Sequence, residues 1–163
     1  MKTESSKQTV LITGTSSGLG KTCAKYFATH GWNVIASMRQ PEIDHELKLI
    51  PDVLVTALDV TEPATISKSI EMGITRFGRI DAVINNAGFG LFGVFEATPA
   101  EKVREQFEVN VFGVMKCERR RVIRSRNSFC PEEAPVDGQG RRVGEIKLHR
   151  AVCHQGCPGL EVV

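Results

Sequence analysis

Three glycines, Gly14, Gly18 and Gly20, fall inside the stretch VLITGTSSGLGKT (residues 10–22), after a β-branched apolar run and before a helical period. A glycine-rich turn in that position leaves main-chain N–H groups unpaired at a helix N-terminus, where they bind phosphate oxygens. Two chemistries compete for these residues. A nucleoside-triphosphate loop, GxxxxGK[ST], needs a glycine five positions before Gly20 of Gly20-Lys21-Thr22, but that place holds Thr15, and Gly14 comes one residue early. The extra residue changes the curvature of the amide nest that must converge on a phosphate. A dinucleotide loop of the form TGxxxGxG is matched at Thr13, Gly14, Gly18 and Gly20. There Gly14 permits a sharp exit from the strand, Gly18 lets main chain approach a pyrophosphate, and Gly20 lets the helix pack closely on the sheet. A turn that uses glycine for geometry alone also fits, so other stretches have to decide.

The elements that position this loop follow from hydrophobic period. Thr9–Thr13 predicts a strand buried on both faces of a parallel sheet, and Leu19, Cys23 and Phe27, with Ala24 and Ala28, predict a helix that Gly31 ends. Asn33–Ser37, Val53–Leu58 and Ala82–Asn85 predict further strands, with a short helix expected over Pro41–Ile50. Thr61 is read as the N-cap of a helix with Ile66, Ile70, Ile74 and Phe77 on one stripe. Thr98, Pro99 and Glu101 are read as N-cap, first-turn proline and capping-box acid of a long helix whose core stripe is Val103, Phe107, Val111 and Val114. Alternating strands and helices predict the α/β class: a Rossmann-type parallel sheet, incomplete at about four strands, followed by a disordered tail.

Composition breaks near residue 116. Residues 1–116 carry 8 Lys, 4 Arg and 13 acids, net −1, whereas residues 117–163 carry 1 Lys, 8 Arg and 6 acids, net +3. The expected division is a nucleotide-binding unit over 1–116 and an irregular, Arg-rich segment over 117–163. A formal net charge of +2 points to no particular partner, and no apolar run approaches the roughly 20 residues of a membrane span. The polar start MKTESSKQ lacks the apolar core of a secretory signal, so a cytoplasmic location is expected. Five cysteines are an odd set that suggests reduced thiols.

Three further stretches join the glycine loop: LDVT with Asp59 and Val60, NNAG with Asn85, Asn86, Ala87 and Gly88, and QFEVNVFGVM with Asn110. In that order and at those separations, from about Thr9 to Met115, the chain resembles the short-chain dehydrogenase/reductase family, NAD(P)-dependent oxidoreductases on a Rossmann-type sheet. The resemblance implies a cofactor-binding set of Thr13, Gly14, Ser16, Ser17, Gly18, Leu19, Gly20, Asp59, Val60, Asn85, Asn86, Ala87 and Gly88. It implies contact of Asp59 with adenine, and Asn110 as one member of a catalytic tetrad. It also implies hydride transfer between the cofactor and a small-molecule carbonyl or alcohol. Separately, the apolar face of the long helix after Pro99, left uncovered without a fifth strand, is read as a contact for a homo- or hetero-oligomer.

Enzymes of this architecture that use NAD place an acid about 20 residues beyond the glycines to bond the ribose 2′-hydroxyl. This chain has Ser37, Met38 and Arg39 there. A carboxylate would repel a 2′-phosphate, whereas Arg39 can pair with one, so NADP(H) is favoured over NAD(H). The family's Ser and Tyr-x-x-x-Lys have no counterpart: the single tyrosine, Tyr26, falls in the first helix. Impaired catalysis is therefore expected, with a non-catalytic dinucleotide-binding remnant, or a partner of an intact subunit, as the alternative. A shift of coding frame near residue 116 accounts for both the break and the missing fifth strand, expected near residue 135. Read one base later, the codons for Glu132 and Glu133 give Lys or Arg, and that for Asp137 gives Met or Thr. Cys130, His149, Cys153, His154 and Cys157 lack the paired spacing of a zinc site, and the Arg119–Arg121 cluster lacks the aromatic residues of a nucleic-acid surface. Neither a metal nor a nucleic-acid partner is expected.

Overall fold

The structure, a computed structural model, describes residues 7–127. Four parallel strands, β1 (Thr9–Thr13), β2 (Asn33–Met38), β3 (Val53–Ala57) and β4 (Ala82–Ile84), lie in the order β3-β2-β1-β4. Every residue of β1 is buried, as its run TVLIT, rich in β-branched residues, leads one to expect of an inner parallel strand.

Alternate side chains of the strands feed two cores. Val10, Ile12, Val34, Ala36 and Met38 face α1 (Gly18–Thr29), where Ala24 is buried and Cys23 and Phe27 pack beside it. Leu11 and Ile35 face the opposite layer, formed by α2 (Pro63–Phe77) with Ile66 and Ile70, and by Cys117 of α4 (Val114–Asn127). The architecture is thus the expected α/β layering of a Rossmann-type sheet. Gly73 lets α2 descend onto the sheet: a Cβ there would lie 2.1 Å from Ile35 Cδ1. Gly78, at φ +79°, ends the helix in the left-handed conformation.

Several elements depart from the sequence reading, each for a local reason. Pro41–Ile50 forms two 3-10 turns, Pro41–Ile43 and Leu47–Leu49, because buried Leu47 and the Asp44 carboxylate, which accepts from the Lys48 N–H, fold the segment back. Thr61 does not cap α2, which starts at Pro63. Its N–H and hydroxyl both donate to Asp59 Oδ1, at 2.9 and 2.7 Å. Thr98 does not cap the following helix, since its hydroxyl donates to the Val94 carbonyl and α3 spans Ala100–Phe107 after Pro99.

The core stripe expected along the long helix is only half met. A π turn, Glu108–Gly113, separates α3 from α4 and adds a residue to the winding, about 100° of rotation. Phe107 and Val111 consequently stand exposed, while Gly113 and Cys117 face inward. The stretch from Cys117 to Asn127, read from composition as irregular, is helical. Lys116 and Arg120 anchor it to the α2 side by donating to the Thr61 carbonyl and to Ser67 Oγ, both at 3.0 Å. The expected fifth strand, the rest of the Arg-rich segment and the cysteines from Cys130 onward lie outside the described residues.

Candidate functional site

The chain leaves β1 toward β2 on one side, while β4 pairs on the other, so the carboxyl ends of β1 and β4 flank the point where strand order reverses. Open parallel sheets bind ligands in the crevice at that point. Gly14 makes the exit from β1 at φ +73°, and a Cβ there would lie 2.8 Å from Ala87 Cα. Thr15, fully buried, donates through both its N–H (3.0 Å) and its hydroxyl (3.2 Å) to the Ser37 carbonyl, pinning the loop to the end of β2. Ser16 and Ser17 are exposed. Helix α1 opens at Gly18 with no side-chain cap from Ser17, and the Lys21 N–H donates to the Ser17 carbonyl, closing the first helical turn. The amides of Gly18, Leu19 and Gly20 are left to the helix N-terminus, where the dipole favours an anion. Gly18 has φ +55° and nothing within 4 Å of an added Cβ, so the loop offers open main chain at that end. Leu19, expected on the inward stripe of α1, is instead 58% exposed beside the loop, because inward packing begins at Gly20. The donors and space that a pyrophosphate needs are therefore present.

NNAG closes the other wall. Thr13 Oγ1 accepts from the Asn86 and Ala87 N–H groups at 3.1 and 3.0 Å. Asn86 Nδ2 returns two bonds, to the carbonyls of Thr13 (2.9 Å) and Gly14 (3.1 Å). Gly20 fits against this lock: a Cβ would fall 2.4 Å from both Asn86 Nδ2 and the Gly14 carbonyl oxygen. Its role is thus wider than the helix-to-sheet contact inferred from spacing. Asn85 Nδ2 donates to Glu118 Oε1 at 2.8 Å, while its buried Oδ1 has no hydrogen-bond partner among the described residues.

Asn110 sits in the π turn, a feature that recurs at functional sites. Its Oδ1 accepts from the Phe89 N–H at 3.1 Å and its Nδ2 donates to the Phe89 carbonyl at 2.8 Å. The side-chain amide thereby fixes the main chain just after Gly88, where a Cβ would come within 3.0 Å of Asn110 Oδ1. Val60 is buried against the same turn: a Cβ on Gly113 would lie 2.7 Å from Val60 Cγ2. Asp59 is half-buried, with Oδ1 committed to Thr61. Arg39 is exposed one residue beyond β2. The fold thus joins Thr13, Gly14 and Gly20 directly to Asn86 and Ala87, and Asn110 to the loop after Gly88. It sets Arg39 and Asp59 at the ends of neighbouring strands.

Sequence reading missed two supports. Glu118 holds Asn85 from a helix that composition hid. Glu46 binds Lys21 (2.8 Å) and Lys25, tying the segment after β2 to the glycine-loop helix. Hydrogen bonds from Lys21 and then Lys25 hold the Glu46 carboxyl down at about 2. Burial, with the Glu118 charge, pushes the Cys117 thiol up to about 11, so it stays protonated at neutral pH. Among the described residues no group of three or more His, Cys, Asp or Glu is placed to hold a metal ion, and no helix is long and apolar enough to cross a membrane.

Comparison with known proteins agrees with this geometry. The family model described as short chain dehydrogenase matches residues 8–124. An uncharacterized oxidoreductase of Schizosaccharomyces pombe is 41% identical over 114 residues, 68% of this chain and 37% of that protein. The structure is similar to that of a 3-ketoacyl-(acyl-carrier-protein) reductase from Brucella melitensis complexed with NADH, at TM-score 0.66 and 27% identity over 74% of this chain and 52% of that one. It is also similar to ElxO with NADP bound, at TM-score 0.65 and 26% identity over 75% and 51%. The chain therefore spans about a third of that yeast relative and about half of each solved structure. A glycine loop locked to NNAG at the strand switch point, within a family match that runs from the start of β1 into α4, makes this chain a member of the short chain dehydrogenase family.

Proposed function

We propose that residues 7–127 form the cofactor half of an oxidoreductase that binds a nicotinamide dinucleotide, NADP(H) in preference to NAD(H). The observation that carries this reading is the Thr13–Asn86 lock, which holds the uncapped start of α1 open beside the crevice. In this reading the Gly18–Gly20 amides meet the pyrophosphate, Asp59 and Val60 flank the adenine, and Asn85–Gly88 shape the nicotinamide end. Arg39 supplies the charge for a 2′-phosphate. The bound dinucleotide would exchange a hydride at its nicotinamide C4 with a carbonyl or alcohol carbon. Support for the class comes from the relatives, one a ketoacyl reductase with NADH and one with NADP bound.

Among the described residues the single tyrosine, Tyr26, does not stand where the family's general acid would, after a fifth strand. Tyr26 lies on α1 with its ring stacked on His30 at 4.0 Å, in a helix turn remote in sequence from Asn110. Cofactor binding with little turnover follows. Fluorescence titration with NADPH and NADH tests the reading: NADPH is expected to bind at least tenfold more tightly, and Arg39→Ala to erase the difference without weakening NADH. Tighter binding of NADH would overturn the cofactor choice, and binding of neither the whole reading.

A second reading has its own observation. Phe107, Val111, Phe112 and Met115 are all exposed along the α3–α4 stretch. We read this face as a contact for another subunit of the same family, with the chain a dinucleotide-binding partner rather than an independent catalyst. Sedimentation velocity on the chain alone, and mixed with an intact relative, distinguishes a monomer from either complex.

A further inference from the structure

The loop after NNAG has a composition that dinucleotide binding does not require. From Ala82 to Phe95 no residue is charged, and the run GFGLFGVF places three phenylalanines, a leucine and a valine in eight positions. Folding does not use most of them: Phe92 is 98% exposed, Phe95 77% and Val94 68%. The loop is nevertheless held in place at its start. Ala87 is bonded to Thr13, and the main chain of Phe89 is clamped in both directions by the Asn110 amide. Phe92 folds back over Gly90, where a Cβ would come within 3.1 Å of the ring edge, and Gly93 turns the chain at φ +153°. Side chains larger than hydrogen at either position would displace this arrangement.

From this we infer that residues 89–95 form an apolar rim that receives the hydrocarbon part of the substrate, so that the carbonyl compounds taken by this site are long-chain or otherwise hydrophobic ketones. The inference rests on the dinucleotide reading above for where the reacting carbon lies. The occupant follows from continuity: the rim begins one residue after Gly88, on the wall of the same crevice, and Asn110 ties the two together. A small polar carbonyl would gain nothing from it, and an anionic one would meet no cation between Asp81 and Glu96.

The test uses the whole chain with NADP⁺ present and measures binding of butan-2-one, octan-2-one and dodecan-2-one by saturation-transfer NMR. Partial burial of eight further methylenes should strengthen binding of the longest ketone at least tenfold over the shortest. Phe92→Ser with Phe95→Ser, both at exposed positions, should abolish that dependence while leaving the NADPH titration unchanged. Phe107→Ser, on the separate helix face, should leave it intact. The inference falls if affinity is independent of chain length, if the dependence survives the double variant, or if it is lost in Phe107→Ser. It also falls if the same two phenylalanines drive sedimentation with phosphatidylcholine vesicles instead. Loss of NADPH binding in the unsubstituted chain, with chain-length dependence kept, would instead sink the cofactor reading alone.

Discussion

Strand β1 is buried along its whole length between two neighbours, whereas β4, with β1 as its single ladder partner among the described residues, is half-buried at all three positions. The same contrast runs through the helices. On the β1–β2 side α1 packs Ala24 into a closed core and is tied to the following segment by Glu46. On the β4 side, α3 and the π turn leave Phe107, Val111 and Phe112 exposed. The crevice between them therefore joins a rigid wall to a loosely supported one. Polar contacts reinforce the partial packing of Val83 and Ala87 on the second wall: the hydroxyl of Thr13, the two amides of Asn86 and Asn110, and the carboxylate of Glu118.

Truncation of the closed core should have the largest effect. Ile35→Ala, at a fully buried position facing α2, is expected to cost about 2–5 kcal/mol in urea unfolding. A cost under about 1 kcal/mol would mean that this core is no tighter than the β4 side. Thr13→Val comes next. It leaves the Asn86 and Ala87 amides without their acceptor, for about 1–3 kcal/mol, and should weaken NADPH binding more than it lowers stability. Unchanged binding would show that the lock is not what shapes the crevice. Val83→Ala, on the half-buried strand, should cost about 1 kcal/mol at most. A larger loss would erase the contrast between the walls.

Glu46→Gln gives the smallest effect and a pH signature. The carboxyl drops from 4.5 to about 2 on folding, so its contribution is complete above pH 4.5 and disappears as pH falls toward 2. The variant should be less stable than the parent at pH 7, by an amount that shrinks through that window in acid titrations followed by circular dichroism. A constant difference at all pH values would assign the effect to something other than the two lysines.

The closed wall was legible in the sequence because its signals are local. The run Thr9–Thr13, rich in β-branched residues, the Ile66–Ile70–Ile74 period and the glycine spacing each report on residues a few positions apart. The looser wall depends on contacts that no window contains. The π turn forms where Gly113 meets Val60 and where Asn110 reaches Phe89, and its extra residue turns Phe107 and Val111 outward against their apparent period. Likewise, the arginines after Cys117 resemble a solvated tail until Lys116, Cys117 and Arg120 are seen on one helical face against α2. The site showed the same split. Gly14, Gly18 and Gly20 announced the loop, while Glu118 and Glu46, its supports, carried no motif.

The lock between Thr13 and Asn86 spans 73 residues of chain, against 24 for the contact of Asn33 with Thr9 that pairs the first two strands. Loop closure over the longer distance is entropically dearer and slower. During synthesis the first two strands and their helix can associate early, but the receptacle itself is absent until β4 has left the ribosome. A nascent chain arrested before that point would carry the glycine loop without the wall that faces it.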